Sequence, residues 1–168
     1  MIDEGKAIKH IDLVEKMQQL LSNEGELKKC EVKLATNSHG LTINREFIDV
    51  GSIINVQSGG TYSNNMFVEP NGSNLRSDCI VLNLGTLYKN YNSFVGRTLL
   101  IDPTENQKIS YKKALLLVKV IQQNLRPGVA IQSIYKKAAE FVAEHFPGSE
   151  VPKSFGFGTG TFLMEQTL

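Results

Sequence analysis

Near the end of the chain, Ser154-Phe155-Gly156-Phe157-Gly158-Thr159-Gly160 sets three glycines at alternate positions among aromatic side chains. Glycines without a Cβ let a backbone approach a ligand closely, and phosphate cradles and metal sites both use them. A dinucleotide fingerprint needs G-x-G-x-x-G between a strand and a helix, but its third glycine would fall on Thr161. A P-loop needs Gly-Lys-Ser/Thr after its glycines, and none follows. Thr161 to Met164 reads instead as a strand. A phosphate cradle is therefore excluded.

A metal centre that cleaves peptide bonds needs carboxylates and imidazoles to hold the ions. The chain has three histidines, and none lies in the glycine-rich strand or in the central hairpin. His10 sits among lysines and acids and reads as a surface residue. His39 falls in a Ser-His-Gly turn, and His145 in the last turn of a helix, where a cation suits the dipole. The inward positions of the hairpin offer Asn83, Ser93 and Phe94 rather than paired acids, and Asn83 alone supplies one neutral oxygen. No G-x-S-x-G nucleophile motif is present. Cys30 and Cys79 lack C-x-x-C spacing and read as reduced thiols, Cys79 buried at the start of a strand.

The elements that would position these residues follow from periodicity. Ile8, Ile11, Val14, Met17 and Leu21 recur at steps of three and four, predicting a helix over 5–22. Helical periodicity is lost from 31 to 70, where SIINVQSGG predicts a short strand ending at Ser58-Gly59-Gly60. The polar stretch 61–78, broken at Pro70-Asn71-Gly72, reads as a surface loop. CIVLNLGTLY (79–88) is the strongest strand, and Asn90 with Asn92 predicts a hairpin to a second strand closed by Asp102-Pro103. A helix over 107–125 sets Tyr111, Ala114, Leu115, Val118, Ile121 and Leu125 on one side, and Arg126-Pro127-Gly128 stops it. A second amphipathic helix covers 131–146. This order predicts α+β with antiparallel pairing rather than alternating βαβ units.

Bulk composition sets the remaining bounds. With 41% hydrophobic and 21% charged residues over 168 positions, the chain is an ordinary globular sequence long enough for a core. A net charge of +1 lacks the basic excess of a nucleic-acid binder, so no direct DNA binding is expected. The polar N-terminus lacks a signal-peptide core and no apolar run reaches ~20 residues, which predicts an intracellular protein with no membrane span.

The hairpin CIVLNLGTLYKNYNSFVGRTLLIDP resembles the metal-binding hairpin of the pita-bread fold, shared by methionine aminopeptidases, prolidases and creatinases. Leu84, Gly85, Tyr91, Ser93, Arg97 and Thr98 match its scaffold. The resemblance places Asn83 and Phe94 where the family has its two Asp ligands. Aligned on Gly158, Gly160 and Glu165, it places Phe157 at the ligand His and Met164 at the substrate-orienting His. A phenyl ring and a thioether neither hold a divalent ion nor move a proton. The resemblance therefore implies a metal-site framework without its ligands: no enzyme, no metal and no cofactor.

Across nearly the whole chain, IDEGKAIKH, VQSGG, YKNYNSFVGRTLLIDP, RPGV and FGFGTG resemble the peptidase-like domain of the large subunits of FACT histone chaperones. Two departures stand out. The segment before QSGG lacks that family's prolines, and Thr161–Met164 is more apolar than usual, so contacts there are expected to differ. The resemblance implies the first half of a pita-bread fold, with residues 1–168 forming a partial peptidase-like domain whose second half follows Leu168. It implies a nuclear, chromatin-bound module that binds histones or peptides during nucleosome reorganisation in transcription, DNA replication and repair. Core histones and the FACT small subunit would be partners through the full-length protein. The inherited cleft would comprise Ser58, Gly59, Gly60, Asn83, Phe94, Phe157 and Met164, with the two Phe and the Met otherwise filling the emptied pocket as core. The alternatives are a purely architectural interaction domain and a divergent metallopeptidase. Half a sheet would also leave an exposed edge, which favours association.

Overall fold

The computed structural model describes residues 7–23, 45–60, 62–63, 65 and 67–167. Cys30 and His39, and the first residues of the helix expected over 5–22, lie outside that set. The chain divides into two compact units, Met1–Asp102 and Pro103–Leu168.

The first unit holds α1 (His10–Ser22), a 3₁₀ turn at Arg45–Phe47, and strands β1 (Ile48–Gln57), β2 (Cys79–Tyr88) and β3 (Tyr91–Leu100) in an antiparallel sheet of order β1-β2-β3. Strand β2 occupies the predicted 79–88, where a near-continuous apolar run suits the central strand of the sheet. The turn to β3 is made by Lys89 and Asn90, both at positive φ (49° and 63°), a primed turn whose twist matches the strands it joins. Asn92 plays no part in the turn. It pairs with Leu87 inside the ladder and is buried.

Register sorts the sheet into two faces. Val50, Ile54, Val56, Ile80, Leu82 and Leu84 share one, and Val14 of α1 packs against Ile54, Val56 and Ile80 to form the core. Asn55, Gln57, Asn83, Gly85, Phe94 and Gly96 share the other. Between Val50↔Thr86 and Ile54↔Leu84 the ladder shifts, so Gly51, Ser52 and Ile53 face the single residue Gly85. This bulge brings two backbones together: a Cβ on Gly51 would stand 2.5 Å from the Gly85 carbonyl carbon. At the outer strand, Arg97 Nη1 donates to the Gly96 carbonyl at 2.7 Å and caps part of the ladder's edge.

α1 begins at His10, later than periodicity predicts, because tertiary pairing claims the residues before it. Lys9 bridges Asn74, and the Leu75 N–H donates to the Ile8 carbonyl at 2.7 Å. Cys79 is half-buried rather than buried. Tyr62 donates its hydroxyl proton to the Cys79 carbonyl at 2.7 Å, and desolvation, with a side-chain interaction with the Cys79 thiol, holds its phenol above the ordinary tyrosine range.

The second unit pairs α2 (Glu105–Asn124) with α3 (Ile131–His145) and ends in a two-residue ladder, β4 (Phe157–Gly158) with β5 (Gln166–Thr167). A capping box starts α2: the Gln107 N–H donates to Thr104 Oγ1 and the Thr104 N–H to Gln107 Oε1. Gly128 at φ 83° and Gly148 at φ 81° mark the predicted breaks after the two helices. Ile134, Ala138 and Val142 of α3 are buried, as its pattern predicts. The apolar side of α2 is not: no residue of α2 is buried, and Leu115 and Val118 stay exposed. His145 stacks on Phe141 with ring centroids 3.9 Å apart, its Nδ1 bonded to the Phe141 carbonyl. Among the described residues no helix is long and apolar enough to cross a membrane.

Candidate functional site

Asn83 and Phe94 lie on one face of the β2–β3 ladder, opposite Gly96 and Gly85 respectively. Ser93 does not join them. It pairs with Thr86 on the other face, because side chains alternate along a strand. Asn83 is held from two sides. Its Nδ2 donates to Asn55 Oδ1 of β1 at 2.9 Å, and its Oδ1 lies where a Cβ on Gly96 would come to 3.0 Å. Asn55 itself is 1% exposed, so the amide pair is a buried, satisfied link between strands. Sequence reading passed over Asn55, although amides at alternate positions of an otherwise apolar strand, Asn55 and Gln57, signal a polar second face. Gln57 reaches across to Ser63, accepting its N–H at 2.6 Å and donating to its carbonyl at 3.3 Å.

Ser58, Gly59 and Gly60 end β1, with Gly59 at φ 86° and Gly60 at φ 90°. Ser58 is engaged away from the Asn83 face. Its Oγ lies 2.8 Å from His10 Nε2 and accepts the Arg76 N–H at 2.9 Å. His10, expected at the surface, is the most buried polar side chain of α1 at 2% exposure. Its Nδ1 meets Asn71 Oδ1 at 2.7 Å, an oxygen that also accepts the Ser73 N–H at 3.0 Å. The bonds form a consistent sequence, with Ser58 Oγ accepting from the Arg76 N–H and donating its own proton. His10 Nδ1–H donates to Asn71, and Ser58 Oγ–H donates to His10 Nε2. Ser-His-Asn is also the atom order of a nucleophile relay. Here the serine is 8% exposed and already accepts a backbone N–H, so the arrangement acts as a clamp tying α1 to the 71–76 segment. The polar neighbours of His10 in sequence gave no hint of it. Its partners stand 48 and 61 residues away.

In the second unit, Phe157 pairs with Thr167 and Gly158 with Gln166. Thr161–Met164, expected as a strand, is instead the bend between the two short strands. The Glu165 N–H donates to the Gly158 carbonyl at 2.8 Å, and the Gly160 N–H to that of Phe162 at 3.0 Å. Glu165 folds its carboxylate over Gly160, where a Cβ would come within 2.6 Å of Oε1. Phe157 is half-buried, whereas Met164 is 46% exposed and fills no core among the described residues. Alanine at Gly160 is expected to push the flexible end of Glu165 aside at a cost of about 1 kcal/mol. Hydrogen exchange at the Phe162 and Glu165 amides should speed up; unchanged protection would show that the carboxylate does not brace the loop.

Among the described residues no group of three or more His, Cys, Asp or Glu could hold a metal ion. The class follows from the match of residues 5–166 to metallopeptidase family M24, and the chain belongs to that family. Within it, the chain is similar to FACT complex subunit SPT16 of Yarrowia lipolytica, 28% identical over 162 residues that make 95% of this chain and 16% of that protein. The solved N-terminal domain of FACT complex subunit SPT16 from Eremothecium gossypii matches at 26% identity with a TM-score of 0.84, covering 97% of this chain and 38% of the other. A prolidase from Pyrococcus horikoshii shares the pita-bread fold at 23% identity, TM-score 0.65, over 98% of this chain and 42% of its own. At equal coverage the fit to the FACT domain is the closer of the two. The chain spans about a sixth of the curated FACT relative's length.

A metallopeptidase family implies a metal, and the residues that the hairpin resemblance aligns with its ligands do not fit one. At the two hairpin positions stand an amide whose nitrogen is committed to Asn55, and a phenyl ring. Neither supplies the anionic oxygen a divalent ion requires.

Proposed function

We propose that this chain is a non-catalytic peptidase-like domain of a FACT-type histone chaperone, acting on chromatin in the nucleus. Its role is to bind histones or histone-derived peptides while nucleosomes are reorganised, with core histones and the FACT small subunit as partners of the full-length protein. Residues 1–168 would be part of that domain. The observation that carries this reading is the state of Asn83. A position that would have to offer an anionic oxygen to a metal instead holds a neutral amide, donating into a buried link with Asn55. The likeness to the FACT N-terminal domain supports the chaperone assignment. The polar sheet face carrying Asn83 and Phe94 in the first unit, and the loop carrying Phe157 and Met164 in the second, are each proposed as peptide-contacting surfaces. Backbone pairing would supply their affinity, and side-chain pockets their selectivity.

Calorimetric titration of the full-length protein with histone tail peptides, at low and physiological salt, tests the reading. We expect saturable binding that persists at physiological salt and weakens at least about tenfold in a Phe157→Ala, Met164→Ala variant. Hydrolysis of a proline dipeptide stimulated by added manganese or cobalt would overturn the non-catalytic half of the proposal. Absence of any peptide binding by the folded protein would overturn the other half and favour an architectural domain.

A further inference from the structure

A groove runs along the first unit between α1, β1 and the 67–70 segment, enclosing about 310 Å³. That is the small end of ligand pockets, which run roughly 300–1,000 Å³, and has room for a few side chains rather than a cofactor. Val14 and Ile53, both buried, form its floor. Ile11 on one wall and Phe67 on the other are 37% and 49% exposed. Glu15 of α1 and Glu69 of the facing segment stand at the rim, and among the described residues no lysine, arginine or histidine lines the groove. Neither carboxylate makes an ion pair among the described residues.

The walls are tied, not merely adjacent. Immediately beyond Pro70, Asn71 receives the Ile11 N–H on its carbonyl at 3.2 Å and His10 Nδ1–H on its side chain at 2.7 Å. A groove whose width is set by buried bonds spends little of a ligand's binding energy on ordering itself. An apolar floor between two exposed carboxylates is complementary to a segment that presents an apolar side chain flanked by lysine or arginine. It repels nucleic acid and acidic peptides.

We infer that this groove is a second docking seat, distinct from the cleft on the Asn83 face, for a basic peptide segment with an apolar anchor. Its occupant on the present reading is a histone segment, so the assignment rests on the peptide-binding function proposed above. The apolar anchor enters between Ile11 and Phe67, and its basic neighbours pair with Glu15 and Glu69.

The test measures fluorescence anisotropy of a labelled histone tail peptide on the full-length protein, with polylysine of equal length as the charge-only probe. Reversing both rim charges, Glu15→Lys with Glu69→Lys, should raise Kd for the tail peptide by about tenfold at low salt. Phe67→Ala should weaken the tail peptide and leave polylysine unchanged. All three positions are exposed, so circular dichroism should report an unaltered fold. Tight binding that ignores both variants would overturn the groove while leaving the histone-binding reading in place. Tail-peptide binding no tighter than that of polylysine, and itself unaffected by Phe67→Ala, would overturn the apolar seat. No binding of either probe by the unmodified protein would overturn both proposals.

Discussion

Alanine at Gly51 should destabilise the protein by about 3 kcal/mol, the upper end of what overpacking costs, and lower its melting temperature by roughly 10 °C. The new methyl would stand 2.5 Å from the Gly85 carbonyl carbon, 2.6 Å from its oxygen and 2.7 Å from the Thr86 nitrogen. All three atoms are backbone, so no rotamer change relieves the clash. Relief requires β1 to move away from β2 at the bulge, next to which Ile54 is fixed in the core. Gly72→Ala is the control, since a Cβ there meets nothing within 4 Å and should leave the melt unchanged. If the two variants melt together, the bulge is not the rigid contact described above.

Leucine at His10 should cost about 2–4 kcal/mol even though it keeps the site filled, because buried donors and acceptors left unmatched carry most of the penalty. Ser58 Oγ–H would lose its acceptor, and Asn71 Oδ1 would keep only the Ser73 N–H. A thermodynamic cycle with Ser58→Ala isolates the clamp. The two changes should couple by about 1–2 kcal/mol, as directly bonded buried groups do. Additive effects would mean that the 2.8 Å contact contributes no stability of its own. The same variant should loosen the 67–71 wall and speed exchange of the Ile11 amide, which donates to Asn71.

The contrast between these two residues shows what local pattern can carry. The β2–β3 hairpin was legible because its register follows from an apolar run, a two-residue turn and strict alternation, all within 22 residues of sequence, 79–100. Gly128 and Gly148 were legible because a proline–glycine pair limits the backbone whatever surrounds it. His10 was not, since its polar sequence neighbours say nothing of Asn71 and Ser58. Thr161–Met164 misled for a related reason: apolar composition suggests a strand, but pairing is decided by which residues find partners, and here those are Phe157–Gly158 and Gln166–Thr167. Periodicity placed the apolar side of α2 on Tyr111, Ala114, Leu115, Val118, Ile121 and Leu125, but the half-buried side is Lys113, Leu117, Val120, Ile121 and Asn124, because covering is decided by what packs on the helix and not by its pattern. The candidate site divides the same way. The positions of Asn83 and Phe94 came from the hairpin motif, while the commitment of Asn83 to Asn55 needed the neighbouring strand.

The bulge in β1 also restricts how the sheet's length can drift. Three residues opposite one is an even surplus, so Asn55 and Gln57 keep to the polar face and Ile54 and Val56 to the core. Losing one residue between Val50 and Ile54 would invert the rest of β1, sending amides into the core and isoleucine and valine onto the polar face. Losing two would restore parity and cost only the local kink. Insertions and deletions at this point are therefore tolerated in pairs, and homologous strands should differ there by two residues or none.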